Sequence, residues 1–136
     1  MTIELKRKPF SSDYDLYEDG KLFIAKLISI ETSSYSVNHN ISIDECRGYF
    51  IKVTAAATMK LPPLVAGGAI TFYSTTAAAV SVDPDDADKI ILDGVAGGAG
   101  KKITSASGAG DLVTLFGDPS DGWYVVGRSG AWTLEA

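Results

Sequence analysis

The chain contains a single cysteine, Cys46, and a single histidine, His39. One cysteine cannot form an internal disulfide, so the fold has to come from a buried core, and the sequence is compatible with folding in a reducing cytoplasm. The lone histidine is the only residue that could activate Cys46 as a nucleophile, and it has its own explanation on a strand-like segment. Cys46 therefore reads as a small, partly buried residue. No apolar run approaches the roughly eighteen residues that a bilayer span needs. The start, from Met1 to Pro9, carries no apolar core after its basic residues, so no secretory signal is expected. Basic residues are in the minority, 12 Lys and Arg against 17 Asp and Glu, for a net charge of -5. That balance argues against a general nucleic-acid binder, which needs clustered Lys and Arg to neutralise phosphates. Neither nucleic acid nor a membrane is an expected partner. At 136 residues there is room for one domain, or a domain with a small appendage, and enough surface to bury without staples.

The exception to the acidic balance is local. Lys6-Arg7-Lys8 is a compact basic cluster, followed by an acidic stretch with Asp13, Asp15, Glu18 and Asp19. Phe10, Tyr14 and Tyr17 are scattered among charges and turn formers without a helical or strand period. Residues 1–20 are therefore expected to form an N-terminal arm, and residues 21–136 a single β domain. The arm reads first as a solvated, mobile terminus, next as a segment that orders on an acidic partner surface, and last as a local contact to nucleic acid.

What is abundant is the grammar of strands and turns. Leu22 to Ile30 is an apolar strand candidate interrupted by Lys26, and Tyr35 to Ile43 alternates strictly, with Tyr35, Val37, His39, Ile41 and Ile43 on one face. The polar link Glu31 to Ser34 makes these two runs read as an antiparallel hairpin, with His39 as a core or interface residue rather than a ligand. Further strand candidates are Tyr49 to Thr54, Thr58 to Leu61, Ala69 to Ser74, Ala79 to Val82, Lys89 to Leu92, Lys101 to Thr104, Asp111 to Phe116, Trp123 to Gly127 and Ala131 to Thr133. Pro62-Pro63 cannot donate ladder hydrogen bonds and should end the strand before it. The turn glycines and apolar-Thr-apolar strand of Ala66 to Phe72 are echoed in Ser107 to Leu115, either by repetition of a hairpin unit or by chance.

The segments that could carry chemistry fall short of their motifs. Gly94 to Lys102 invites comparison with a phosphate-binding loop, yet it has Val95 where glycine is needed and Lys102 where Ser or Thr is needed. It reads as a glycine-rich hairpin loop. Asp83, Asp85, Asp86 and Asp88 gather carboxylates, but Ala87 and Asp88 stand where a Ca²⁺ loop requires a ligand and a glycine. An adventitious Ca²⁺ site and a solvated turn, with Asp side chains bonding local backbone N–H groups, are the two readings. With no nucleophile–base pair and no metal-ligand spacing, neither an enzymatic activity nor a cofactor is expected.

The order Leu61-Pro62-Pro63, Val82-Asp83-Pro84, Asp88 to Gly94, Gly110 to Leu115 and the closing Gly122-Trp123-Tyr124-Val125-Val126-Gly127-Arg128-Ser129-Gly130-Ala131-Trp132-Thr133 resembles a β-rich module of bacteriophage virion structural proteins, including head decoration (cement) proteins and tail-fibre segments. The resemblance covers about residues 49–133; the N-terminal forty-odd residues lie outside it. It implies an all-β fold, an antiparallel β-sandwich or small barrel with short strands behind the arm. It also implies a decoration protein on the outer surface of the assembled head, made in the host cytoplasm, with a homotrimer and the major capsid protein as its partners. The alternative is a tail-fibre or spike component that binds a host surface glycan. Lys6, Arg7, Lys8 and Phe10 are the expected capsid contacts. A strand through Trp123 and Tyr124 carries large apolar groups on both faces, so Trp123, Tyr124 and Trp132 are expected in the core or a subunit interface.

Overall fold

A computed structural model describes residues 3–7, 14–18, 21–22 and 30–136. It is all-β, with no helix among the described residues. The chain separates into two compact units, 1–30 and 31–136. In the first, β1 (Ile3–Arg7), β2 (Tyr14–Glu18) and β3 (Lys21–Leu22) form an antiparallel sheet in the order β1-β2-β3. Lys6 stands opposite Asp15, and Arg7 opposite Tyr14. Most of the Leu22 to Ile30 run lies outside the described residues.

The second unit holds two sheets. One has seven strands, β4 (Thr32–Tyr35), β6 (Arg47–Val53), β8 (Gly68–Ser74), β13 (Leu112–Asp118), β14 (Gly122–Ser129), β10 (Ile90–Leu92) and β11 (Val95–Ala96), each paired with the next. The other has five, β5 (His39–Asn40), β7 (Ala57–Lys60), β9 (Val80–Asp83), β12 (Ile103–Ser105) and β15 (Trp132–Leu134), in that order. Both sheets are mixed, which corrects the expectation of a purely antiparallel fold. From β4 to β9 the chain alternates between sheets, so each strand returns to its sheet in the same direction as the one before. Thus β4 pairs in parallel with β6 and β6 with β8, while β5 pairs in parallel with β7 and β7 with β9. A parallel pair needs a crossover, and here the strand in the opposite sheet supplies it in place of a helix. Antiparallel strands then close the coil, β13 against β8 and β12 against β9.

Burial follows the period of two. Ile51 and Val53, Ala57 and Met59, Ile70 and Phe72, Val80 and Val82, and Val113 and Leu115 point inward from both sheets and join Ile90, Ile103, Trp123 and Trp132 in one hydrophobic cluster. Fully burying a side chain such as Phe72 contributes about 1.5–3 kcal/mol. The strand before Pro62 ends at Lys60; the Leu61 N–H adds one more bond, to the Asp83 carbonyl at 2.8 Å, before the prolines terminate the ladder.

The alternating run from Tyr35 to Ile43 is not one strand. It breaks after Tyr35 and resumes at His39 in the other sheet, leaving Val37 69% and Ile43 57% exposed. Side chains drive the break. The Asn38 amide oxygen accepts the Thr58 N–H at 2.8 Å, and Ser42 and Glu45 bond each other's backbone, offering the chain turns in competition with a ladder. The partner run of the antiparallel hairpin expected here, Leu22 to Ile30, lies mostly outside the described residues, and Tyr35 pairs in parallel with Val53.

Candidate functional site

Two surfaces of the second unit concentrate chemistry. The first is the outer face of the seven-stranded sheet. With Trp123, Ile70, Val113 and Leu115 turned inward, the alternate residues turn outward, and the register sets Ile91, Tyr124, Phe116 and Ala69 in one row across four strands. Phe116 is 53% and Tyr124 38% exposed. Farther along the same face Phe50 and Tyr73 pack with ring centroids 5.8 Å apart. A break in register between Thr114 and Leu115 leaves Val126 unpaired on β14, and its side chain is exposed. The Tyr124 hydroxyl donates to Asp121 at 2.6 Å, which holds its phenol above the usual range.

The three residues that the sequence grouped as core or interface do not stay together, since Trp123 and Tyr124 lie on the seven-stranded sheet and Trp132 on the five-stranded one. Trp123 and Trp132 are buried, and Tyr124 lies outside. The Trp132 indole donates to the Ser129 carbonyl at 3.1 Å, whereas the Trp123 indole N–H has no partner among the described residues. Trp123 fits its position because Gly68 and Gly117, opposite each other on paired strands, leave room for the ring. A Cβ at Gly117 would lie 2.9 Å from Trp123 Cζ3 and 2.6 Å from Leu64 Cδ1. Of the expected capsid contacts, Lys6 and Arg7 fall on β1, while Lys8 and Phe10 lie outside the described residues.

The second surface surrounds the coil's first turn. The Tyr35 hydroxyl donates to Glu45 Oε2 at 2.5 Å, His39 Nε2 lies 3.3 Å from Glu45 Oε1, and the Ser42 N–H donates to the same oxygen at 3.0 Å. The Tyr35 and His39 rings stack with centroids 3.7 Å apart. Burial alone would raise the Glu45 pKa; the hydrogen bonds from the Ser42 backbone, Tyr35 and His39 outweigh it and hold the carboxyl below its ordinary value. Burial, and then the bond to Glu45, push the Tyr35 phenol up. Sequence reading placed His39 in a core or interface and did not single out Glu45. The available signal was Ser42-x-x-Glu45, the spacing of a capping box, here closing a turn rather than starting a helix.

The carboxylates of the acidic turn are engaged by neighbouring segments as well as by the turn itself. Asp88 accepts the Leu64 N–H at 2.8 Å, Asp85 accepts the Ala87 N–H at 3.4 Å, and Lys60 Nζ lies 3.3 Å from Asp86 and 3.5 Å from Asp83. Among the described residues no group of three or more His, Cys, Asp or Glu is placed to hold a metal ion. In the glycine-rich loop, Val95 and Ala96 pair with β10 and the Gly97 N–H bonds the Ile90 carbonyl at 2.9 Å. Cys46 is buried, and that burial, followed by the nearby Glu45 charge, pushes its thiol pKa up to about 11.

No protein-family model, curated protein or solved structure matches this chain.

Proposed function

We propose that this chain is a bacteriophage virion structural protein, a head decoration protein that acts by binding rather than by catalysis and assembles as a homotrimer on the major capsid protein. The observation that carries the reading is the outer face of the seven-stranded sheet, where Phe116, Tyr124 and Val126 stand exposed beside Ile91 and Ala69. Apolar surface gathered on one sheet face marks a contact with another chain. The sequence resemblance through Gly122 to Thr133 supplies the virion setting, and the two sheets, sharing one core, fit a sandwich-like module of the kind it implies. Attachment of a trimer at several weak contacts gains from avidity without any one strong site.

The test combines light scattering with capsid binding. The native chain should show a trimer mass built from 14.3 kDa subunits and bind undecorated heads saturably. The variant Phe116→Ser/Tyr124→Ser should dissociate or lose head binding while keeping its β circular dichroism. A native monomer that ignores heads would overturn the reading.

A further inference from the structure

A cleft of about 610 Å³ opens on the small sheet, lined by Asn38, His39, Asn40, Thr58, Lys60 and Asp83. The volume is within the ordinary range for small-molecule sites. Thr58 and Lys60 reach it because they alternate along β7 with buried Ala57 and Met59, and register places Asn40 beside Lys60 and Lys60 beside Asp83.

The lining is polar but its main charge is compensated. Lys60 Nζ donates to the Pro84 carbonyl at 2.9 Å and lies near Asp86 at 3.3 Å and Asp83 at 3.5 Å. Slight desolvation would lower its pKa, yet those two carboxylates outweigh it, so the ammonium stays charged and engaged. An anion entering here would have to displace these oxygens and approach Asp83. A cation would have to compete with the ammonium for the same carboxylates. What remains to be satisfied is neutral hydrogen-bonding capacity. The Asn38 amide is fixed through its oxygen by the Thr58 N–H, and its NH₂ has no partner among the described residues. The Asn40 amide and the Thr58 hydroxyl have none there either. His39 is held by its bond to Glu45 and its stack on Tyr35, which presets one wall of the cleft.

We propose that this cleft is a binding site for a neutral saccharide. Adjacent sugar hydroxyls both donate and accept, which matches two amides and a hydroxyl side by side, and an uncharged ring leaves the Lys60 ion pairs intact. With little apolar surface to bury, binding is weak, in the millimolar range for a single sugar. The proposal is independent of where on a virion the chain resides.

The test uses the full chain in nitrogen-15 correlation spectra, titrated with glucose, galactose, N-acetylglucosamine and their disaccharides, and separately with inorganic phosphate. Saturable shifts at Asn38, Asn40 and Thr58 with at least one sugar, and none with phosphate, are expected. Asn40→Ala and Thr58→Val are surface changes that should leave the remaining spectrum in place and weaken sugar binding by about tenfold each. Absence of saturable shifts with every sugar, saturation by phosphate at these residues, or unchanged sugar binding in both variants would each overturn the proposal.

Discussion

Thr71 and Thr114 face each other across β8 and β13 with their hydroxyl oxygens 2.9 Å apart. They are the central residues of the two apolar-Thr-apolar runs that echo each other in the sequence, and those runs pair directly: Phe72 sits opposite Val113 and Ile70 opposite Leu115. The smaller sheet repeats the device, with Ser81 and Thr104 hydroxyls 2.8 Å apart on paired strands.

A double-mutant cycle measures that bond. Thr71→Val or Thr114→Val alone leaves a half-buried hydroxyl without its partner and should cost about 0.5–1.5 kcal/mol in urea unfolding. The double variant removes both groups and fills the space, so the two costs should not add; a coupling of about 0.5 kcal/mol or more is expected. Strict additivity would mean that the pair contributes nothing.

Much of the large unit was legible from residue 47 onward. Each inward pair, from Ile51 and Val53 to Val113 and Leu115, is spaced by two and bounded by turn residues, and burial alone enforces that pattern. Strand direction was not legible, because a residue alternates in and out identically in parallel and antiparallel ladders. The run from Tyr35 to Ile43 misled because its apolar spacing was regular while Asn38, Ser42 and Glu45 bonded backbone elsewhere. Trp123 and Tyr124 could be assigned to opposite faces of one strand from sequence. That Phe116 would stand beside Tyr124 depends on a register fixed only by the assembled sheet.

Glu45 should make the domain acid-sensitive. Its folded pKa lies below the ordinary glutamate value of 4.5, so its contribution to stability is present above that value and is lost as pH falls through the folded pKa. Glu45→Gln keeps the shape but weakens charge-assisted bonds to Tyr35, His39 and Ser42, at a cost of about 1.5–3 kcal/mol near pH 7. The difference in melting temperature between native and variant chains should shrink steadily as pH drops below 4.5. A difference that stays constant from neutral to acid pH would remove the carboxylate charge from the account.

Cys46 should be chemically silent in the native state. A buried thiol with a pKa near 11 carries almost no thiolate at neutral pH, and thiolate is the reacting form. Iodoacetamide labelling followed by mass spectrometry should be slow without denaturant and complete in guanidinium. Rapid native labelling would show that the turn from Ser42 to Arg47 opens readily.

Gly117 faces a steric demand set by the Trp123 ring. Any side chain there meets the edge of the Trp123 ring and the end of Leu64, and the indole cannot withdraw because it is fully enclosed. Gly117→Ala should destabilise the domain by about 1–3 kcal/mol, the usual cost of overpacking. Gly68→Ala meets the Cys46 carbonyl at 2.9 Å. Backbone yields less readily than the end of a leucine, so Gly68→Ala should cost at least as much. Trimming the obstacle distinguishes the two: Leu64→Ala should recover part of the loss in Gly117→Ala and none in Gly68→Ala. Equal recovery in both, read by urea unfolding, would mean that the Leu64 contact is not what sets the cost at Gly117.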